Sequence, residues 1–176
     1  MESPRPSQTA IPVIVFTPSG FIRGTLHLPV VKTLPSFLNA QDEILKLTEA
    51  VLPGSDLVHP FLALHKSAIL LVVPQGGLDT PKPGLGAMAL ERRAVTCLLS
   101  QGSIRGHLDI PENLRTSDYL LRNTGFIEFH QCYVGSTAYF DPNEATGAPL
   151  PLVIVNSRNM VGVTEEALVS AEVAEI

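Results

Sequence analysis

The stretches "GFIRGTLHLP" (residues 20–29) and "GSIRGHLDIP" (residues 102–111) are near-copies that stand 82 residues apart. Each reads as a β-strand. Ile22, Leu26 and Leu28 share one face, matched by Ile104, Leu108 and Ile110, while Arg23, Thr25 and His27 take the other, because successive side chains of a strand alternate in direction. Gly24 and Gly106 therefore fall on the apolar face, where a packing side chain would be wanted. A glycine inside a strand on that face marks a sharp bend or a close backbone approach, and bends of this kind let short strands curl into a small barrel.

The match extends in both directions. At the offset of 82, Val13 falls on Val95, Gly20 on Gly102 and Pro29 on Pro111, and "ILKLTEAVLPGS" (44–55) lies on "FIEFHQCYVGST" (126–137) without a gap. "FLALHKSAILLVV" from Phe61 then matches "LVIVNSRNMVGVT" from Leu152 at an offset of 91, so the second copy carries nine more residues between them. The chain reads as a duplicated module. Each copy gives two strands, a short helix (Pro35 in the first turn of one; Thr116 as N-cap and Gly125 as stop of the other), and a third strand (44–52; 126–134). The apolar phase of that third strand flips midway, which predicts a bulge. A closing hairpin of two strands is expected around "HKSA" and "NSRN".

The expected fold is thus mainly β with short helices: two tandem, bent-strand, barrel-like modules of order β-β-α-β-β-β, related by a pseudo-two-fold. The boundaries are a tail over 1–11, a first module over 12–73, a Pro- and Gly-rich linker over 74–90, a second module over 91–164 with an inserted loop over 138–151, and an acidic tail over 165–176. The phrases "GxIRGxLxIP", "RTSDYLL" and "VNSRNMVGV" resemble those repeated in an uncharacterised bacterial domain family. The bent second strand and the closing apolar strands resemble, more distantly, the Sm- or SH3-like small β-barrel, although an Sm barrel carries its helix before the first strand and this sequence places one after the second.

A hydrophobic fraction of 45% and a mean hydropathy of +0.24 supply enough apolar surface for a packed core, built without Trp and with aromatics at 6%. A net charge of −5 disfavours a general nucleic-acid binder, which needs excess Lys and Arg to displace counterions. The opening "MESPRPSQTAIP" lacks the pattern of a secretory signal, and no apolar run reaches the ~20 residues of a membrane helix. The expectation is a soluble cytoplasmic protein.

Chemistry is sparse. Cys97 and Cys132 fall on Val15 and Ala50 of the other copy, so they are expected to pack as small hydrophobes. His107 and Asp109 share a strand face but lack the further ligands of a metal site. His130 and Cys132, two apart on a strand, are expected on one face without an oxyanion-hole motif. No metal, cofactor or catalytic residue is assigned. Arg23 and Arg105 are the charges common to both copies and are expected to form ion pairs, with Glu43, Glu128 or Asp118 as partners. Tyr139 and Phe140 in the inserted loop are candidates for binding. The closing strands 61–64, 69–73, 152–155 and 160–163 are apolar on both faces, so they are expected to be sandwiched between the copies or buried in a subunit contact, with Leu71 and Val161 as interaction residues. The function expected is that of a non-catalytic protein-interaction or assembly subunit that forms homo-oligomers. An Sm-like nucleic-acid binder is the alternative, and a metal- or thiol-dependent enzyme using His107, Asp109, His130 and Cys132 the weaker one.

Overall fold

The structure, a computed structural model, describes residues 8–76, 89–135 and 148–166. The first half holds β1 (Gln8–Thr17), β2 (Gly20–Pro29), α1 (Leu34–Leu38), β3 (Ile44–Val51), β4 (Val58–His65) and β5 (Leu71–Pro74). The second holds β6 (Leu90–Leu99), β7 (Gly102–Pro111), α2 (Thr116–Arg122), β8 (Phe126–Gly135), β9 (Leu150–Asn156) and β10 (Met160–Glu165). The first strand begins earlier than expected: Gln8–Ile11 pair with β2 as far as Pro29, and so belong to the sheet and not to a tail. Leu150 and Pro151 likewise join β9 and leave the inserted loop. Among the described residues no helix is long and apolar enough to cross a membrane.

All ten strands belong to one antiparallel sheet, in the order β10-β6-β7-β8-β9-β5-β1-β2-β3-β4. Three expectations are corrected here. The closing hairpin does not form: β4 and β5 stand at opposite ends of their half, as do β9 and β10. "HKSA" and "NSRN" each hold a turn of 3₁₀ helix, Lys66–Ala68 and Ser157–Asn159, flanked by extended residues. Such a turn advances the chain by ~2 Å per residue, so it carries the strand across and does not fold it back on its neighbour. The sheet, secondly, is open, with β4 and β10 at its ends. Thirdly, the junction joins the fourth strand of one half to the fifth of the other. A two-fold would require the reciprocal pair, β10 with β4, and that pair does not form, so within the sheet the halves follow head to tail.

The glycines stand where the sheet bends. The β2–β3 register shifts between Arg23 and Thr25, and the β7–β8 register between Arg105 and His107. On the facing strands Glu49 and Gln131 adopt φ of 52° and 50°, a conformation uncommon outside glycine and a mark of the bulge. The bulge turns Leu45 and Leu47, then Ala50, to the inside of one half, and Ile127 and Phe129, then Cys132, to the inside of the other. The bent strand presses so closely on the bulged one that a Cβ on Gly24 would stand 3.2 Å from Leu47 Cβ. One on Gly106 would stand 2.8 Å from Cys132 Sγ and 3.1 Å from the His130 carbonyl oxygen.

Two cores result, and each borrows from the other half. The first gathers Val13, Leu26, Leu47 and Val72 around Leu152, Ile154 and Phe126 of the second half. The second gathers Cys97, Ile104, Phe129 and Val155 around Ile14, Leu71 and Val73 of the first. In β5, therefore, Val72 serves one core while Leu71 and Val73 serve the other, which is why that strand is apolar on both faces. α1 buries Leu34 and Leu38 in the first core. Thr33 caps α1, its hydroxyl accepting from the Ser36 amide at 3.3 Å, and Pro35 sits in the first turn. In α2 the cap position is Arg115, without a side-chain cap, and Thr116, expected to cap, instead donates to the Glu165 carboxylate.

Gly106→Val is expected to lower stability by ~3 kcal/mol or more, and Gly24→Val by ~1–3 kcal/mol, the usual range for overpacking. The larger effect falls where the approach is closer, since a Cβ at Gly106 would lie 2.8 Å from sulfur and 3.1 Å from a carbonyl oxygen, against 3.2 Å from Leu47 Cβ and 3.3 Å from the Thr48 carbonyl oxygen at Gly24. Thermal melts of the two variants check both the loss and its order.

Candidate functional site

The junction between the halves is built from β5, β9 and the turns beside them. Leu71 stands opposite Val155 and Val72 opposite Ile154, and the Asn156 amide donates to the Leu70 carbonyl at 2.9 Å. Asn156, 2% exposed, sends its side-chain amide to the carbonyls of Lys66 (3.1 Å) and Ile69 (3.0 Å), while its side-chain oxygen accepts from the Arg158 amide at 3.2 Å. Asn159 donates to the Ser67 and Ile69 carbonyls at 3.0 and 2.7 Å. At the same junction, lining one cavity with Lys66 and Asn156, Asn39 at the end of α1 pairs with the backbone of Phe126 as a strand would. It donates to the carbonyl at 2.9 Å and accepts from the amide at 2.8 Å. Gly125 (φ 148°) makes room for it, since a Cβ there would lie 2.3 Å from Asn39 Oδ1. These asparagines were not singled out in the sequence. The signal available was the mismatch between the copies, since Asn39, Asn156 and Asn159 fall on Leu121, His65 and Ala68.

The two outer strands occupy the positions of the junction strands, but among the described residues each has a strand on one side only. β4 is the counterpart of β9 and β10 that of β5. Leu70 is 5% exposed at the junction, and its counterpart Val161 is 69% exposed. Leu152 is buried in the first core, and its counterpart Phe61 is exposed on β4 beside Val58. Beside β10 lies a groove of about 510 Å³ lined by Thr116, Leu120, Val163, Arg93 and Glu165. Arg93 bridges its rim, with Nη1 3.5 Å from the Glu165 carboxylate and Nη2 2.7 Å from Glu91.

Of the residues singled out in the sequence, Leu71 is 1% exposed, inside the second core, whereas Val161 stands on the open edge. Tyr139 and Phe140 lie outside the described residues. Arg23 stacks over the Phe21 ring, 5.5 Å from its centroid. Arg105 pairs with the carboxylate of Glu166, its Nη2 at 3.0 Å from Oε2, and not with Glu43, Glu128 or Asp118. Glu166 follows β10 directly and is brought alongside by the β6–β10 pairing, a contact that strand phase alone does not reveal.

The candidate chemical groups are separated by the bulge. Gln131 puts His130 on the outer face and Cys132 in the core, so the two do not share a face as their spacing suggested. Burial pushes both thiols up to about 12, well away from the range in which a cysteine is nucleophilic. Asp109 is engaged by Arg92 through two hydrogen bonds of 2.8 and 2.9 Å, which hold its carboxyl below the usual range, and His130 Nε2 stands 3.7 Å from it. Asp109, His130, Glu128 and Tyr119 face a cavity of about 620 Å³ beside Asn39, and burial raises both the Glu128 carboxyl and the Tyr119 hydroxyl. Among the described residues no three His, Cys, Asp or Glu side chains cluster as metal ligands. The chain matches no family model, no curated protein and no solved structure.

Asn156→Ala removes the buried side chain that donates to the Lys66 and Ile69 carbonyls and accepts from the Arg158 amide, at a cost of about 1–3 kcal/mol. Denaturant unfolding is expected to show a lower midpoint for this variant, and a far smaller change for Ala substitution of its exposed counterpart His65.

Proposed function

We propose that the chain is a non-catalytic assembly subunit that binds protein through the two ends of its sheet. We further propose that each half is a bent, Sm-like barrel module whose open side is closed by a strand of its neighbour. The observation that carries this reading is the outer strand β4, which holds the position that β9 holds at the junction yet exposes Phe61 and Val58. A strand edge that meets no further strand among the described residues and carries apolar side chains is a template for pairing with another chain. The division of each core between the halves supports the modular part, since Leu152 and Ile154 complete the first core from outside it.

The nucleic-acid alternative draws on Lys66 and Arg158, which line one cavity of about 450 Å³ at the junction. Asp42 and Glu43 line the same cavity, the Lys66 ammonium already donates to the Ala40 carbonyl at 3.0 Å, and the chain carries a net charge of −5. An anionic backbone finds little to displace there.

Light scattering coupled to size exclusion is expected to return a multiple of the 18.9 kDa chain mass; a single-chain mass across the accessible concentrations overturns self-assembly. Fluorescence anisotropy with single-stranded RNA and DNA is expected to show no salt-sensitive binding tighter than about 1 µM. Such binding would put the nucleic-acid reading first.

A further inference from the structure

Resting on that reading, we propose that the partner of β4 is β10 of a second copy of this chain. The two copies join head to tail in the register of the β9–β5 junction, with Phe61 seated in the groove between α2 and β10.

The junction within the chain supplies the template. Moving it by the sequence offset of 91 sets Ala63 of one copy opposite Val163 of the next and Leu64 opposite Gly162, as Ile154 stands opposite Val72 and Val155 opposite Leu71. The His65 amide takes the role of the Asn156 amide, with the Val161 carbonyl in place of that of Leu70. Pro60, which lacks an amide donor, falls on Pro151, and Pro151 lies outside the paired span of β9. The proline therefore lies beyond the paired residues in both places and does not block the pairing.

One missing neighbour accounts for four exposed apolar side chains. Phe61, Leu98, Leu121 and Val161 are 57%, 49%, 78% and 69% exposed. Their counterparts are Leu152, Phe16, Asn39 and Leu70. Each of these is covered at the junction: Leu152 lies in the first core, Phe16 packs against the second, Asn39 binds Phe126, and Leu70 is buried under β1 and β9 contacts. The receiving groove corresponds as well. Thr116, Leu120 and Val163 line it, and they are the counterparts of Leu34, Leu38 and Val72, which belong to the core that receives Leu152. The guanidinium of Arg93 replaces Ile11 and the ring of Phe61 replaces Leu152, an exchange of one apolar contact for a cation and an aromatic face.

The contact is heterologous, so its two sides can be disabled separately. Phe61→Lys removes the β4 side and Val161→Lys the β10 side, and both residues are exposed, so melting points should stay near that of the unmodified chain. Each variant alone is expected to run as a single chain. Mixed in equal amounts they are expected to form a two-chain species and nothing larger, because one competent β4 and one competent β10 remain. Register is tested by mixing Ala63→Cys with Val163→Cys under oxidising conditions, where a disulfide-linked dimer is expected from the mixture and from neither variant alone. A dimer of Val161→Lys by itself would mean that β4 pairs with β4, and a dimer of Phe61→Lys by itself that β10 pairs with β10; either overturns the proposal while leaving assembly intact. Single chains in the mixture overturn it too. An unmodified chain that is itself monomeric overturns the proposal together with the reading on which it rests.

Discussion

Two backbone pairings, Leu71 with Val155 and Val72 with Ile154, turn two five-stranded halves into one ten-stranded sheet. A strand in that position has no solvated face. Val72 is committed to one core and Leu71 and Val73 to the other, so each core is completed by side chains the other half supplies. Burying an aliphatic side chain of this size is worth ~1.5–3 kcal/mol, and here the same short strand contributes on both sides at once. The polar groups exposed by bringing turns together are met by Asn39, Asn156 and Asn159, whose side-chain amides supply the hydrogen bonds that a regular ladder does not reach.

The bends make that junction reachable. Each second strand curves at a glycine, and each third strand adds a residue at a bulge with φ near 50°. Together they bring the helix and the fifth strand of each half around its core. The close approach at Gly106, where the chain comes within van der Waals contact of Cys132, is the tighter of the two. It also explains the fate of the thiol, which is packed against the bend and held protonated by burial.

The bulge decides the chemistry of the outer face as well. Residues two apart on either side of it point to opposite faces, which parts His130 from Cys132 and leaves the imidazole with Asp109 and Glu128 on the outer surface. Asp109 is already bound by Arg92. The described sheet also leaves two strand edges, β4 and β10, at its ends. They expose the apolar side chains of Val58, Phe61 and Val161, on which the proposed binding of another chain rests.

The strand content, the helix after each second strand, the glycine at each bend and the phase flip in each third strand were all legible in the residues, because they are local: alternation, turn chemistry and a misplaced glycine report on neighbours along the chain. The apolar character of both faces of 69–73 was legible too, and it indicated burial from two sides. The covering partner was not legible. "HKSA" and "NSRN" carry the composition of a hairpin turn, yet a 3₁₀ turn sends each following strand away from the one before it, and composition does not distinguish the two. Which of Leu71 and Val161 is buried was equally hidden, since both belong to equivalent apolar strands. Only the presence of β9 beside one, and of solvent beside the other, separates them. The sequence by itself determined which segments are strands and where they bend. Their order in the sheet, the head-to-tail junction and the identity of the two open edges were decided by tertiary structure, because strand pairing joins backbone groups far apart in the chain and backbone groups carry no sequence.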